Sequence, residues 1–315
     1  MDALSLIFDD IHLAKSEYLY LNLWSEGGFH YRYEPSMLAY VVLQGNAYLT
    51  FEDADCLALK QGDLILLPSA TPHRLQHQPY STLQQSTEIN PCFERNWHQP
   101  LSPQSAIAQN TTTQSLVLAI RAKLDIHMAG PLLQSLPKSI YIQHITKDTA
   151  PKWLQIGLQF LSNEGLEQKP GHDKILDHLV SILLIECVRD YILNLQDAEN
   201  WLNALSHPEL SNALAAIHAQ PELPWTVESL AERCCMSRSK FAQLFSHIVQ
   251  QTPLAYLQHH RLRLAAQYLR DSQHSVQQIA HLVGYSSETA FSQSFKKLFE
   301  LTPSQYRQQT APKSV

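Results

Sequence analysis

The chain has 315 residues, 44% of them hydrophobic and 17% charged, with 23 basic against 29 acidic side chains. That balance excludes low-complexity and fibrous chains, and the length suits two or three globular domains. Asp2, Asp9 and Asp10 stand where a secretory leader carries basic residues, and the longest apolar run, LVSILLIECV at 179–188, is short and contains Glu186. A cytoplasmic protein with no membrane partner is therefore expected.

The charge is unevenly spread. Residues 1–206 hold 13 basic against 22 acidic side chains, net −9, whereas residues 207–315 hold 10 against 7, net +3. A mildly basic C-terminal part on an acidic body points, weakly, to a polyanionic partner for that part. The five cysteines (56, 92, 187, 234 and 235) show no C-x-x-C spacing, so neither a zinc knuckle nor a disulfide framework is indicated.

In chain order, the first elements are short alternating runs: YLYLNLW, MLAYVVLQG, AYLTFED, CLALKQG, DLILLPS and PHRLQHQ, between residues 18 and 78. They predict antiparallel strands in a barrel or sandwich. QGDLILLPSATPHRL resembles the second cupin motif, with Gly62 opening a strand, Pro68 closing it and His73 five residues on. Metal-binding cupins draw further histidines and a glutamate from a first motif, near FHYRYEPSMLAYVVLQG, but those places hold Tyr31, Tyr33 and Leu38, with only His30 close by. His77 shares a strand face with His73 by alternation, so a His30/His73/His77 metal site is one reading and hydrogen-bonded structural histidines the other. The incomplete ligand set favours the second. No cofactor and no metal is expected. A small effector is, with His30, Tyr40, His73 and His77 as candidate pocket residues. Cys56 and Cys92 are either redox-active or inert filler; reactivity needs an exposed thiolate of low pKa.

Residues 84–115 are rich in Gln, Ser, Thr, Asn and Pro and read as a surface loop. SLVLAIRAKLDIH then resumes the sheet and PLLQSLPKSIYIQ closes it. Two helices follow, PKWLQIGLQFLSN and DKILDHLVSILLIECVRDYILNL (173–195). The second is apolar round most of its circumference and must be buried, against its own barrel or at a homodimer seam. Residues 196–206 read as a linker.

The C-terminal part contains a duplication. At an offset of fifty Ser237 meets Ser287, Phe241 meets Phe291, Gln243 meets Gln293, Phe245 meets Phe295, Thr252-Pro253 meets Thr302-Pro303, and Tyr256 meets Tyr306. Upstream the offset is 49, so one residue has been added in the second copy's turn, GYSSE. Each copy reads as two short helices. Thr226 caps the first helix of copy one and Ser237 the second, and Gly284 sits at the bend of copy two. Two helices on a tight turn make a helix-turn-helix, whose second member lies in the DNA major groove. The helix between the copies, PLAYLQHHRLRLAAQYLRDS, is long enough, with the width of the units, to hold two reading helices about one DNA turn, near 34 Å, apart.

Residues 207–309 resemble the DNA-binding domain of the AraC/XylS regulators, through WTVESLAERCCMSRSKFAQLF, RLRLAAQYLRDSQHSVQQIAHLVGY and SSETAFSQSFKKLFELTPSQYR. The N-terminal part resembles the cupin sensor domains of one subgroup, which the opening MDALS also fits; some of its members answer reactive oxidants through cysteine. The resemblance implies base contacts from Arg238, Ser239, Ala242 and Gln243 in one groove and from Glu288, Thr289, Ser292 and Gln293 in the next. Lys240, Arg261, Lys296, Lys297 and Arg307 are the implied phosphate contacts.

Gln250 and Glu300 replace the family's glycine two residues before each Thr-Pro, so differently shaped helix ends are expected. Glu288 is unfavourable beside phosphate unless it accepts from a cytosine amino group, so the first unit is expected to carry more of the specificity. The expected fold is α+β and multidomain. It comprises a cupin-like antiparallel barrel over 1–145, a helical dimerisation or linker region over 146–206 and an all-α double helix-turn-helix domain over 207–310. The expected function is sequence-specific transcription regulation as an activator, without catalysis, on promoter DNA with RNA polymerase as partner and a small effector or oxidant as signal. A cupin metalloenzyme of the dioxygenase or isomerase type is the alternative. It leaves the duplication unexplained.

Overall fold

In the computed structural model the described residues are 2–11, 16–24, 27–53, 55–79, 85–95, 114–143, 152, 156, 170–195, 201–207 and 209–310. They divide between two compact units: residues 13–124 with 136–191, and residues 1–12, 125–135 and 192–315.

The first unit is a β-sandwich. Its strands are β1 (Ser16–Leu23), β2 (Gly27–Tyr31), β3 (Ser36–Gln44), β4 (Asn46–Phe51), β5 (Cys56–Lys60), β6 (Leu64–Leu67), β7 (His73–Gln76), β8 (Gln85–Glu88), β9 (Ser115–Lys123) and β10 (Ile140–Ile142). They form two five-stranded sheets, ordered β1-β9-β3-β6-β10 and β5-β4-β7-β2-β8. Pairing is antiparallel throughout except between β2 and β8, which run parallel. The cupin-like antiparallel architecture is thus present. The expectation of a loop over 84–115 needs correction, because β8 and a 3-10 turn (Asn90–Arg95) fall inside it; residues 96–113 lie outside the described ones. QSTE has no apolar alternation to announce it, and among the described residues it is an edge strand paired with β2.

Burial explains the patterns. In β1, Leu19, Leu21 and Leu23 are buried and alternate with the less buried Tyr20 and Asn22. β3 and β6 are interior strands, buried along nearly their whole length, so they read as continuous apolar runs. Charged side chains also sit in this unit's interior, among them Glu17, Asp63 and Arg121. Arg121, fully buried on β9, donates through Nε to Glu17 (2.7 Å) and through an Nη to Glu34 (2.6 Å), with its guanidinium 4.5 Å from the Phe93 ring centre. A guanidinium in a core persists only where carboxylates meet it, and removing either partner is strongly destabilising.

Among the described residues the helices are α1 (Ala3–Ile11), α2 (Ile126–Ser135), α3 (His172–Leu193), α4 (Trp201–Ser206), α5 (Ser211–Ala219), α6 (Val227–Arg233), α7 (Arg238–Val249), α8 (Pro253–Asp271), α9 (Val276–Leu282), α10 (Glu288–Phe299) and α11 (Pro303–Thr310). α3 buries Val180, Leu183, Leu184, Cys187 and Val188, yet Ile175 and Ile182 are 41% and 54% exposed. Complete burial of this helix is therefore not found; one apolar flank is open. The helix expected over 151–163 lies outside the described residues apart from Lys152 and Ile156.

α1 and α2 depart from the sequence expectation, which placed their residues with the barrel. They belong to the unit of the C-terminal helices. α1 buries Ala3, Ile7, Phe8 and Ile11 and packs on α5, while α2 packs on α4 and α8. Asp125, just ahead of α2, meets Arg270 of α8 at 2.6 Å, and His127 sets its ring edge on Phe299 (5.3 Å). Within the expected linker, α4 buries Trp201, Leu202, Ala204 and Leu205; residues 196–200 lie outside the described ones.

Candidate nucleic-acid interface and sensor cavity

The two copies of the duplicated motif are built from the same local devices. Thr226 and Ser275 open α6 and α9 with reciprocal side-chain and backbone bonds, to Ser229 and Gln278 respectively. Both helices then stop alike. In copy one the Met236 N–H donates to Ala231 O (3.0 Å) and the Cys235 N–H to Glu232 O (3.0 Å); in copy two the Tyr285 N–H donates to Ala280 O (2.8 Å) and the Gly284 N–H to His281 O (3.0 Å). These paired bonds need one left-handed residue, supplied by Cys235 (φ 54°) and Gly284 (φ 83°). The bend therefore keeps the offset of 49, and Ser286 is the residue added before the next cap.

Ser237 and Ser287 then cap α7 and α10, each 12 residues long. Phe241 and Phe245, and likewise Phe291 and Phe295, turn one side of each helix into its core. The opposite sides are open: Arg238, Ser239, Lys240 and Gln243 on α7, and Glu288, Thr289, Gln293, Lys296 and Lys297 on α10, are exposed, with Ala242 and Ser292 half-buried. On α10 that side forms part of a shallow depression of about 360 Å³ lined by Glu288, Thr289, Ser292, Gln293, Lys296 and Thr302. Lys240 also reaches Glu209 at 3.2 Å, an exposed pair easily exchanged for another anion.

Both reading helices end on a left-handed residue, Gln250 (φ 59°) and Glu300 (φ 61°). The expectation of differently shaped ends is overturned: the glycine conformation is kept without glycine, at a cost of roughly 1–2 kcal/mol each. α8 follows with Thr252 as cap and Pro253 in its first turn; its 19 residues span roughly 28 Å. It packs on α7, α9, α10 and α11 and so is the common support of both copies.

Two implied phosphate contacts have another first use. Arg261 donates to Pro221 O (2.6 Å) and Leu223 O (2.7 Å), and Arg307 to Leu269 O (3.2 Å) and His274 O (2.5 Å). Both guanidinium groups brace loops. The freer cations are Arg238, Lys296 and Lys297.

In the sandwich unit a cavity of about 850 Å³ is lined by His30, Tyr31, Arg32, Phe51, His73 and Arg74, among others. His73 is held from both sides: its Nδ1–H donates to Thr71 O (2.6 Å) and its Nε2 accepts from the Tyr40 hydroxyl (2.8 Å). Burial pushes its pKa down to about 4, so the ring is neutral. It stacks on Tyr31 with ring centres 5.6 Å apart. His30 bonds Ser86 (2.8 Å), and His77, beyond the end of β7, bonds Ser115 (2.9 Å). The three histidines do not assemble as ligands, since His73 has no ring nitrogen to spare. Of the pocket candidates His30 and His73 line the cavity, and Tyr40 acts behind His73. Cys56 and Cys92 are half-buried; Cys56 accepts from Thr50 (3.6 Å) and the Cys92 thiol points at Glu88 O (3.6 Å). Cys234 is buried, and desolvation raises its pKa, whereas Cys235 is exposed.

These two parts match two family models, one described as a cupin over residues 2–193 and one as a helix-turn-helix domain over residues 230–309. The HTH-type transcriptional regulator AlkR of Acinetobacter baylyi is 51% identical over 310 residues, covering 98% of this chain and 100% of that protein. The chain belongs to the AraC-type transcriptional regulators with a cupin domain. The RCS-specific HTH-type transcriptional activator RclR of Escherichia coli is 30% identical, over 85% of this chain and 83% of its own. Among solved structures, an AraC-type DNA-binding domain-containing regulator from Chromobacterium violaceum is 31% identical over 36% of this chain and 100% of that chain, with a TM-score of 0.33. The protein is accordingly a DNA-binding transcriptional regulator, with the duplicated C-terminal region as its DNA-binding part.

Proposed function

We propose that this regulator reads two successive major-groove segments of promoter DNA with the open sides of α7 and α10, and that it activates transcription through RNA polymerase when a small effector or oxidant acts on the sandwich cavity. The observation that carries this reading is the repetition of the whole scaffold, cap for cap and bend for bend, around two open polar helix sides. Arg238, Ser239, Ala242 and Gln243 read bases in one segment and Glu288, Thr289, Ser292 and Gln293 in the other. Lys240, Lys296 and Lys297 supply the phosphate contacts, with Arg261 and Arg307 chiefly holding loops. The cavity, with aromatic walls and Arg32 and Arg74 in its lining, suits an organic effector with an apolar body and a polar end. The protein acts without catalysis, in the cytoplasm, and the open flank of α3 at Ile175 and Ile182 is where a second copy would pack.

Fluorescence anisotropy on a panel of promoter duplexes tests the reading. Gln243→Ala should relax preference at one base position by about 1–3 kcal/mol, whereas Lys296→Ala should weaken all duplexes alike and flatten the salt slope by up to about one unit. An unchanged ranking of duplexes in Gln243→Ala would remove α7 from base reading.

A further inference from the structure

Asp10 on α1, His218 on α5 and His260 on α8 bring one carboxylate and two imidazoles together in the C-terminal unit, with their nearest ligand atoms all within 4.8 Å of one another. Asp10 Oδ2 lies 2.5 Å from His218 Nδ1 and 3.9 Å from His260 Nε2, and the two rings are tilted against each other with centres 4.2 Å apart. Neither DNA reading nor effector binding uses them.

His260 is the unusual member. Its side chain is 1% exposed, and its Nε2 has no hydrogen-bond partner although it is sealed from solvent and faces Asp10. A buried nitrogen left without a partner carries the full cost of its desolvation. Nε2 is the atom this ring would offer a metal, and it lies with the Asp10 and His218 ligand atoms. His218 is equipped in the complementary way. Its Nε2 lies 2.8 Å from the Tyr256 hydroxyl, the kind of second partner that fixes a metal-ligating imidazole. A void of about 10 Å³ opens among these side chains, beside Ile7, Trp201 and Arg263, with room for one ion or one water.

We propose that Asp10, His218 and His260 bind one zinc-like divalent ion through Asp10 Oδ2, His218 Nδ1 and His260 Nε2. The ion replaces the proton between Asp10 and His218: the Nδ1 proton of His218 passes to Nε2, which then donates to the Tyr256 oxygen, and the ring stays neutral. Bonds of about 2.0–2.1 Å need ligand atoms roughly 3.3 Å apart. The carboxylate must therefore draw back from His218 and towards His260, which the two observed separations allow. Imidazole with carboxylate selects zinc, cobalt or nickel over magnesium or calcium. Arg263 opposes the added charge, so the affinity is moderate and a water completes the shell. The ion would tie α1 to α8, the helix that supports both DNA-reading copies.

The test uses the full chain, stripped with a chelator and titrated with zinc against a colorimetric competitor, then with cobalt to record its visible spectrum. Expected are one zinc per chain, a higher melting temperature with zinc but not with magnesium, and a cobalt spectrum of nitrogen and oxygen ligands. His260→Gln should lower zinc affinity about tenfold or more. Because that change is in the core, Asp10→Asn, at a side chain 20% exposed and checked for unaltered circular dichroism, should do the same. Absence of a zinc-dependent shift in the unaltered protein overturns the proposal. So does one-to-one binding that survives Asp10→Asn, or a sulfur-to-cobalt charge-transfer band, which would put the ion on cysteines.

Discussion

The two helix-turn-helix copies are alike at most of the residues that cap helices or fill their cores, and they differ at most of those that face outward, Gln243 and Gln293 excepted. Thr226 answers Ser275, Ser237 answers Ser287, and the phenylalanine pairs coincide. The open side of α7, by contrast, begins with Arg238 and contains Lys240, while that of α10 begins with Glu288. One scaffold is therefore used twice with different side chains presented, as required for two dissimilar stretches of one DNA site. The bend shows the limit of the likeness: Gly284 fills the left-handed position in one copy and Cys235 in the other.

Removing a shared core residue tests the likeness hardest. Phe245→Ala and Phe295→Ala should each cost about 3–5 kcal/mol in denaturant unfolding followed by helical circular dichroism, and by similar amounts. A large disparity would mean that one copy leans on the other. The bends should respond in opposite directions. A Cβ on Gly284 would lie 2.6 Å from Glu222 O and 2.8 Å from an Arg261 nitrogen, so Gly284→Ala should cost about 2–4 kcal/mol. Cys235→Gly should instead stabilise by about 1 kcal/mol. The smallest effect is expected at the ends of the reading helices: Gln250→Gly and Glu300→Gly should each raise stability by about 1 kcal/mol or less, visible as a small rise in denaturation midpoint.

What the sequence disclosed follows from the range of the interactions. Caps, bends and the apolar stripes of α7 and α10 are decided within a few residues, so they were legible, as were the alternating strands of the sandwich. The Gly62–Pro68–His73 motif was equally local. Pairings across long separations were not. Arg121 is 104 residues from Glu17, and nothing in either segment announces the other. The carbonyls that Arg261 and Arg307 hold were hidden too, because a basic residue on a helix says nothing of what a distant loop brings to it. The placement of α1 and α2 with the C-terminal helices was hidden for the same reason, since an amphipathic helix shows that it has a partner but not which one.

α1 is made long before α5, the helix it packs on. His218, to which Asp10 is bonded, lies 208 residues downstream. At translation rates of about 5–20 residues per second, Ile7, Phe8 and Ile11 must wait roughly 10–40 s for the surface that covers them. During that interval a sticky N-terminal segment trails from a half-made chain while the sandwich behind it can already close. Closure of the unit to which α1 belongs therefore waits for α5 and the helices after it, whatever the sandwich has already done.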